Sequence, residues 1–280
     1  MNHKIWPILI ASLLLLPLGA AADDGVRSTE TSKSYQVGFG TTRLLDTYLS
    51  QQAFAGGGLS FLTTSETQRN DSVPSAWHTL IEHQASLSLT NDKSELRDEL
   101  QGDYSLYVGR LYGKRLALGG HGQLYLQAGG LIGANIGFIY NTSNSNNPAQ
   151  ARLSLNLVPT GAATYTTQLW NRKLALRYEL NLPLAGVAFS PNYGQSYYEM
   201  FSQGNYDHNI VPTTFISAPN FRQQFSIDYR LWQNAMLRIG YLGDYQQMEV
   251  NNLKSHVYHH RIMIGYIHSL THVKTIKRKK

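Results

Sequence analysis

The stretch Leu174-Ala175-Leu176-Arg177-Tyr178-Glu179-Leu180-Asn181-Leu182-Pro183-Leu184 decides the fold class. Every second residue is leucine or tyrosine, and the residues between are small, charged or polar. An extended strand turns successive side chains to opposite faces, so this segment has one wholly apolar face and one polar face. A helix would scatter the leucines around its circumference and gain no apolar stripe.

The same dyad recurs downstream. Phe225, Ile227, Tyr229 and Leu231 alternate with Arg222, Gln224, Ser226, Asp228 and Arg230. Leu237, Ile239, Tyr241 and Tyr245 alternate with Arg238, Gly240, Asp244 and Gln246, and Tyr258, Ile262, Ile264, Tyr266 and Leu270 with His259, Arg261, Met263, Gly265 and Ser269. Extending the reading over the whole chain predicts strands near 34–48, 54–68, 77–91, 96–112, 116–141, 151–170, 174–189, 220–232, 235–249 and 254–270. That is about ten strands, with eight or twelve as alternatives. The segment 116–141 exceeds the roughly 9–11 residues that a spanning strand needs. It must project beyond the membrane, bend at its glycines (Gly119, Gly120, Gly122, Gly129, Gly130, Gly133, Gly137) or hide another element.

An apolar face opposite a charged one suits either a soluble sandwich or a membrane barrel. Three features favour the barrel. The first is an export signal: a polar, positive Asn2-His3-Lys4, an apolar run from Ile5 to Leu18, and the small residues Ala20-Ala21-Ala22. The second is the placing of aromatic residues near strand ends (Tyr178, Tyr229, Trp232, Tyr241, Tyr245, Tyr258, Tyr266). The third is the asymmetry of the connections. Short links at 112–115, 171–173 and 233–234 fall on the periplasmic side if the N-terminus does, whereas 141–150 and 191–219 fall outside. The expected organisation is a signal peptide over 1–22, an N-terminal periplasmic segment over 23–33, an all-β transmembrane antiparallel up-and-down barrel over 34–270, and a basic tail over 271–280.

Composition fits this class. Eighteen Tyr, 9 Phe, 4 Trp and 24 Gly accompany only 15% charged residues. The absence of cysteine excludes disulfides and a cysteine-borne lipid anchor. The net charge of +6 is carried entirely by Lys4 and by Lys274, Lys277, Arg278, Lys279 and Lys280, so residues 23–273 are neutral and no nucleic-acid partner is expected. The implied partners are outer-membrane lipid and the barrel-assembly machinery, with a ligand or protein partner left open.

Leu45-Asp46-Thr47-Tyr48-Leu49-Ser50, residues 144–148, Ser190-Pro191-Asn192-Tyr193-Gly194 with Ser196-Tyr197-Tyr198-Glu199, Gly204-Asn205-Tyr206-Asp207-His208-Asn209, and Tyr241-Leu242-Gly243-Asp244 followed by Asn251-Asn252-Leu253-Lys254 carry a resemblance over most of the chain. They resemble an uncharacterised, domain-of-unknown-function family of exported Gram-negative proteins. The resemblance implies an outer-membrane barrel and no known activity.

Two groups of residues are candidates for function. The polar faces of the C-terminal strands bring Arg177, Glu179, Arg222, Asp228, Arg230, Arg238, Asp244, His259 and Arg261 inward, where a narrow barrel would pair them. The expected contacts join Asp228, Arg230, Arg238 and Asp244, and the expected effect is to hold the lumen shut rather than to form a selectivity ring. The long outer connection offers Tyr193, Tyr197, Tyr198, Phe201 and Tyr206 as a binding surface, with Asp207 and His208 beside them. An acid–base pair at Asp207-His208 would need a third partner that the sequence does not supply. His256, His259, His260, His268 and His272 show no metal-site spacing, and no Gly-rich turn precedes a helix as phosphate binding requires. No catalytic residue, metal or cofactor is therefore assigned. The alternatives are a narrow pore for small solutes and a barrel-embedded hydrolase or protease.

Overall fold

The computed structural model describes residues 26–70, 77–119, 122–144, 147–232 and 235–275. The expected signal peptide and the last five residues of the basic tail lie outside them. In chain order the elements are β1 Val26–Asp46, β2 Phe54–Asn70, β3 Trp77–Asn91, β4 Asp98–Ala117, β5 Gln123–Asn141, β6 Ala149–Leu169, β7 Arg172–Asn181, β8 Ala185–Phe189, the helix α1 Tyr197–Phe201, β9 Ile210–Thr214, β10 Phe221–Arg230, β11 Ala235–Val250 and β12 Leu253–Thr275.

Ten of the strands form a closed antiparallel ring in the order β1, β2, β3, β4, β5, β6, β7, β10, β11, β12, with β12 returning to β1. The closing ladder runs unbroken from Val26↔Thr275 to Asp46↔Ser255. A single cylinder replaces the two packed sheets of a sandwich, so the sandwich reading fails. Closure also satisfies the backbone of every ring strand on both edges, which a strand in hydrocarbon requires.

The faces are inverted relative to a soluble protein. Phe39 is 63% exposed and Leu59 66%, and they lie side by side on the outer wall. Inside, Gln84, Glu99, Gln101, Asn181, His259 and Arg261 are fully buried. Water-soluble cores bury apolar groups and leave charges outside. An apolar wall around a polar interior is the arrangement that suits lipid.

Five sequence expectations differ from the structure. The ladder begins at Val26, so most of the segment 23–33 is strand rather than a lead-in. β4 runs on through the expected 112–115 link to Ala117, and the long segment 116–141 conceals the next hairpin turn, with Gly119 at φ +83°. Only glycine adopts that backbone without strain. The segment 174–189 is two strands. Pro183 has no N–H, and the ladder to β6 continues only through Leu182 N–H to Pro159 O at 3.0 Å and Leu184 N–H to Leu157 O at 3.0 Å before β8 resumes it. The connection 191–219 is folded rather than open, containing α1 and β9. The outer turns are also not uniformly long: Asn251-Asn252, with φ +52° and +58°, closes a two-residue hairpin at the outer end.

The outer wall generates a direct test. Ile264 pairs with Val37 and Ile239 inside the apolar belt, whereas Ile216, 93% exposed, lies between β9 and β10 beyond it. Ile264→Arg should destabilise the protein in phospholipid vesicles by about 2–4 kcal/mol in urea titrations, and Ile216→Arg by less than about 0.5 kcal/mol. Equal effects would remove the belt from that wall.

Candidate functional site

Alternation along each strand turns one set of side chains into the lumen, and the ring order decides which can meet. Arg222 on β10 and Glu82 on β3 have four strands between them in either direction, so they stand on opposite walls. Their side chains meet at 2.7 Å, each about 1% exposed. The same guanidinium donates to Gln84 Oε1 at 2.8 Å and Asn181 Oδ1 at 2.9 Å, and it lies 5.0 Å from the centre of the Tyr107 ring. Arg177 on β7 and Glu66 on β2 are likewise diametric, at 3.6 Å, and Arg177 also donates to Glu179 at 2.7 Å and to Gln127 at 2.8 Å. Two charged struts therefore span the lumen.

A third cluster ties β12 to β1, β2 and β3 on its own side of the ring and reaches across to β4. Arg261 donates to Ser60, Thr42 and Ser88 at 3.1, 2.7 and 2.9 Å, and His259 lies 3.2 Å from Asp103 across the barrel. Gly58 makes room for it, since a Cβ there would lie 2.5 Å from Arg261 Nη2. Toward the outer mouth an apolar cluster sits beside buried Asp46, Glu99 and Asn141. Leu44, Phe54 and Val257 pack across the lumen with Ile139 and Leu49.

Of the expected inward residues, Arg177 is partly buried, and Glu179, Arg222, Asp228, Arg238, Asp244, His259 and Arg261 are buried in the interior. Arg230 is not among them. It is exposed at the rim where β1 begins and β12 ends, the last residue of β10. The expected cluster of four splits accordingly: Arg238 grips Asp228 through two bonds of 2.6 and 2.7 Å, while Asp244 accepts from Gln84 at 2.7 Å. The sequence reading missed the opposite wall altogether, in Glu66, Glu82 and Asp103. The signal was present in the period-two run His78, Leu80, Glu82, Gln84, Ser86, Ser88, Thr90.

The outer connection is a flap built on the barrel rim. β8 pairs with residues 154–157 of β6 and β9 pairs with β8. Helix α1 starts in a capping box, Ser196 Oγ accepting from Glu199 N–H while the Glu199 carboxylate accepts from Ser196 N–H. Tyr48 donates to Gln195 O at 3.0 Å, Tyr197 to Gln150 at 2.9 Å, and Asn251 to His208 O at 3.0 Å. Burial pushes the Tyr48 and Tyr197 hydroxyls up to about 12, so both remain neutral donors at ordinary pH. Tyr197 is therefore an anchor rather than free surface. Tyr193, Tyr198, Phe201 and Tyr206 are exposed. Asp207 and His208 pair with each other in the open, 73% and 81% exposed. Among the described residues no His, Asp and Glu cluster is arranged to hold a metal.

Two cavities flank the struts. A vestibule of ≈ 320 Å³ toward the end where β1 begins is lined by Glu30, Glu66, His78, Lys173, Arg177 and Arg238. A cavity of ≈ 90 Å³ lies toward the outer end beneath the flap.

A buried pair loses far more when one partner is removed than when both are, because the survivor is left uncompensated. Arg222→Met should cost about 3–5 kcal/mol in urea unfolding in vesicles, and adding Glu82→Met should recover most of that loss. Arg230→Ala should change stability by less than about 0.5 kcal/mol. Additive losses at Arg222 and Glu82 would contradict the strut.

Several solved structures are similar in outline. The translocator domain of the autotransporter NalP from Neisseria meningitidis aligns at 10% identity over 89% of this chain and 90% of that one, with a TM-score of 0.39. The transport unit of the autotransporter AIDA-I from Escherichia coli gives 8%, 92%, 94% and 0.44, and the outer membrane protease OmpT from Escherichia coli gives 7%, 89%, 98% and 0.37. No curated protein matches the sequence. Residues 7–279 match the family described as "Protein of unknown function (DUF3316)", and the chain belongs to that family.

Proposed function

We propose that this chain is an integral outer-membrane barrel, exported through a cleaved signal peptide, that does not conduct and that acts through its outer flap, residues 191–219, as a binding surface. The observation that carries the reading is the pair of struts across the lumen, Arg222 to Glu82 and Arg177 to Glu66. Charges paired across the full width leave no continuous path for ions, and the apolar cluster around Leu44, Phe54 and Ile139 adds a dry layer near the mouth. A solute pore is thereby disfavoured. A hydrolase centred on Asp207 and His208 is disfavoured too, since both side chains are solvated and no third group orients them. What the barrel holds rigidly outside is an aromatic platform of Tyr193, Tyr198, Phe201 and Tyr206, the residue types that dominate recognition surfaces.

The chain has no cysteine, so single introduced thiols report location cleanly. Tyr206→Cys should react with a membrane-impermeant maleimide on intact cells, and Lys114→Cys only after the outer membrane is permeabilised. The purified protein should show no stepwise conductance in planar bilayers. Recovery of the protein in the soluble periplasmic fraction, or labelling with the two positions reversed, would overturn the location. Ohmic steps from the native chain would put the pore in place of the closed barrel.

A further inference from the structure

The interior arginines are not alike. Arg177, Arg222, Arg238 and Arg261 are each held by several bonds, whereas Arg152 on β6 makes one, from Nη2 to Gln246 Oε1 at 3.2 Å. Its Nη1 has no partner, and among the described residues no carboxylate lies within 4.0 Å of the guanidinium. Five N–H donors on a rigid fork make this an unusual state for an interior arginine. Its β5 neighbour in the ladder is Gly137, which offers it no side-chain partner.

Arg152 lines the cavity beneath the flap, together with Asp46, Asp244, Asn220, Phe221 and Gln246. The two carboxylates there are unmatched in the opposite sense. Asp46 accepts from Tyr48 N–H at 3.1 Å and Ser255 Oγ at 3.0 Å, and Asp244 from the Gln84 and Gln246 amides at 2.7 and 3.1 Å. Neither forms an ion pair with a cation among the described residues.

Arg222 also lines the cavity, but its guanidinium is already bound to Glu82, Gln84 and Asn181; the unused donors of Arg152 and two carboxylates that no cation approaches within 4.0 Å are matched to a ligand that carries both signs. The Asp46 and Asp244 carboxylates would repel a simple anion, and Arg152 would repel a simple cation. A volume of ≈ 90 Å³ corresponds to roughly six to nine water-sized positions, the size of a small organic molecule. We propose that this cavity binds a small free α-amino acid, its carboxylate accepting from Arg152 and its ammonium donating to Asp244 or Asp46. Phe189 and Ser190 at the end of β8 and Thr213 of the flap form the roof, so occupancy should also steady the flap.

The test uses the full chain in detergent, titrated by calorimetry and by ligand-observed NMR with L-alanine, L-serine and L-glutamine, and with acetate and methylammonium as single-sign controls. At least one amino acid should bind saturably, and both controls at least about tenfold more weakly, as expected when one of two charge contacts is lost. Arg152→Met should abolish binding and Arg152→Lys should restore part of it. Ala218→Phe fills the cavity from the β9–β10 connection without touching the charges or the ring ladder, and it should abolish binding as well. That variant decides the matter if Arg152→Met fails to assemble. Absence of saturable binding by all three amino acids, acetate binding as tightly as they do, or binding unaltered by Ala218→Phe would each overturn the proposal.

Discussion

The contact between Arg222 and Glu82, 2.7 Å long and joining opposite walls, expresses the constraint on which the rest depends. A ring of ten strands with an apolar outer wall must turn its polar positions inward, because alternation allows no other place for them. In so narrow a cylinder there is little room for water to solvate each charge separately. The charges therefore meet across the diameter and settle into pairs with amide and hydroxyl support from Gln84, Asn181 and Gln127.

Much of the remaining architecture follows from filling that space. Glycine stands where a long side chain needs room, as Gly58 does for Arg261. Leucine, valine and phenylalanine fill the interior in small clusters between the charged groups, around Leu44 and Phe54, beside Tyr107, and at Leu62 and Leu242. Beyond the mouth, β7 breaks at Pro183 and the chain builds the flap instead of continuing the cylinder. β9 is then an edge, and its Pro212 removes one of the donors that would otherwise template an intruding strand.

The fold class was legible because period two survives noise: Leu174 to Leu184 alone exclude a helix, and the repeats at Phe225, Ile239 and Ile264 make a ladder. The interior was legible by face and not by depth. Arg230 has the same parity as Arg222 and Asp228, yet it sits at the rim, since alternation says which side a residue faces and nothing about its height. Glu82 and Arg222 are separated by 140 residues, and their meeting depends on the strand count and stagger of the whole ring. Arg152 alternates properly with Leu153 and Leu155, but its unusual state depends on which groups the other strands place around it, a single bond partner in Gln246 and carboxylates beyond contact distance. The turn at Gly119 and the helix at Tyr197 had local signals, a glycine cluster and the Ser196–Glu199 box, that the dominant dyad obscured.

The central claim, that paired charges rather than water fill this lumen, is tested most directly by hydrogen exchange at the Arg222 side chain. In lipid nanodiscs transferred to deuterated buffer, the Nε–H resonance of Arg222, which donates to Gln84, should persist for hours, while that of the exposed Arg97 vanishes within the dead time. Exchange at Arg222 as fast as at Arg97 would mean a hydrated lumen and would contradict the account.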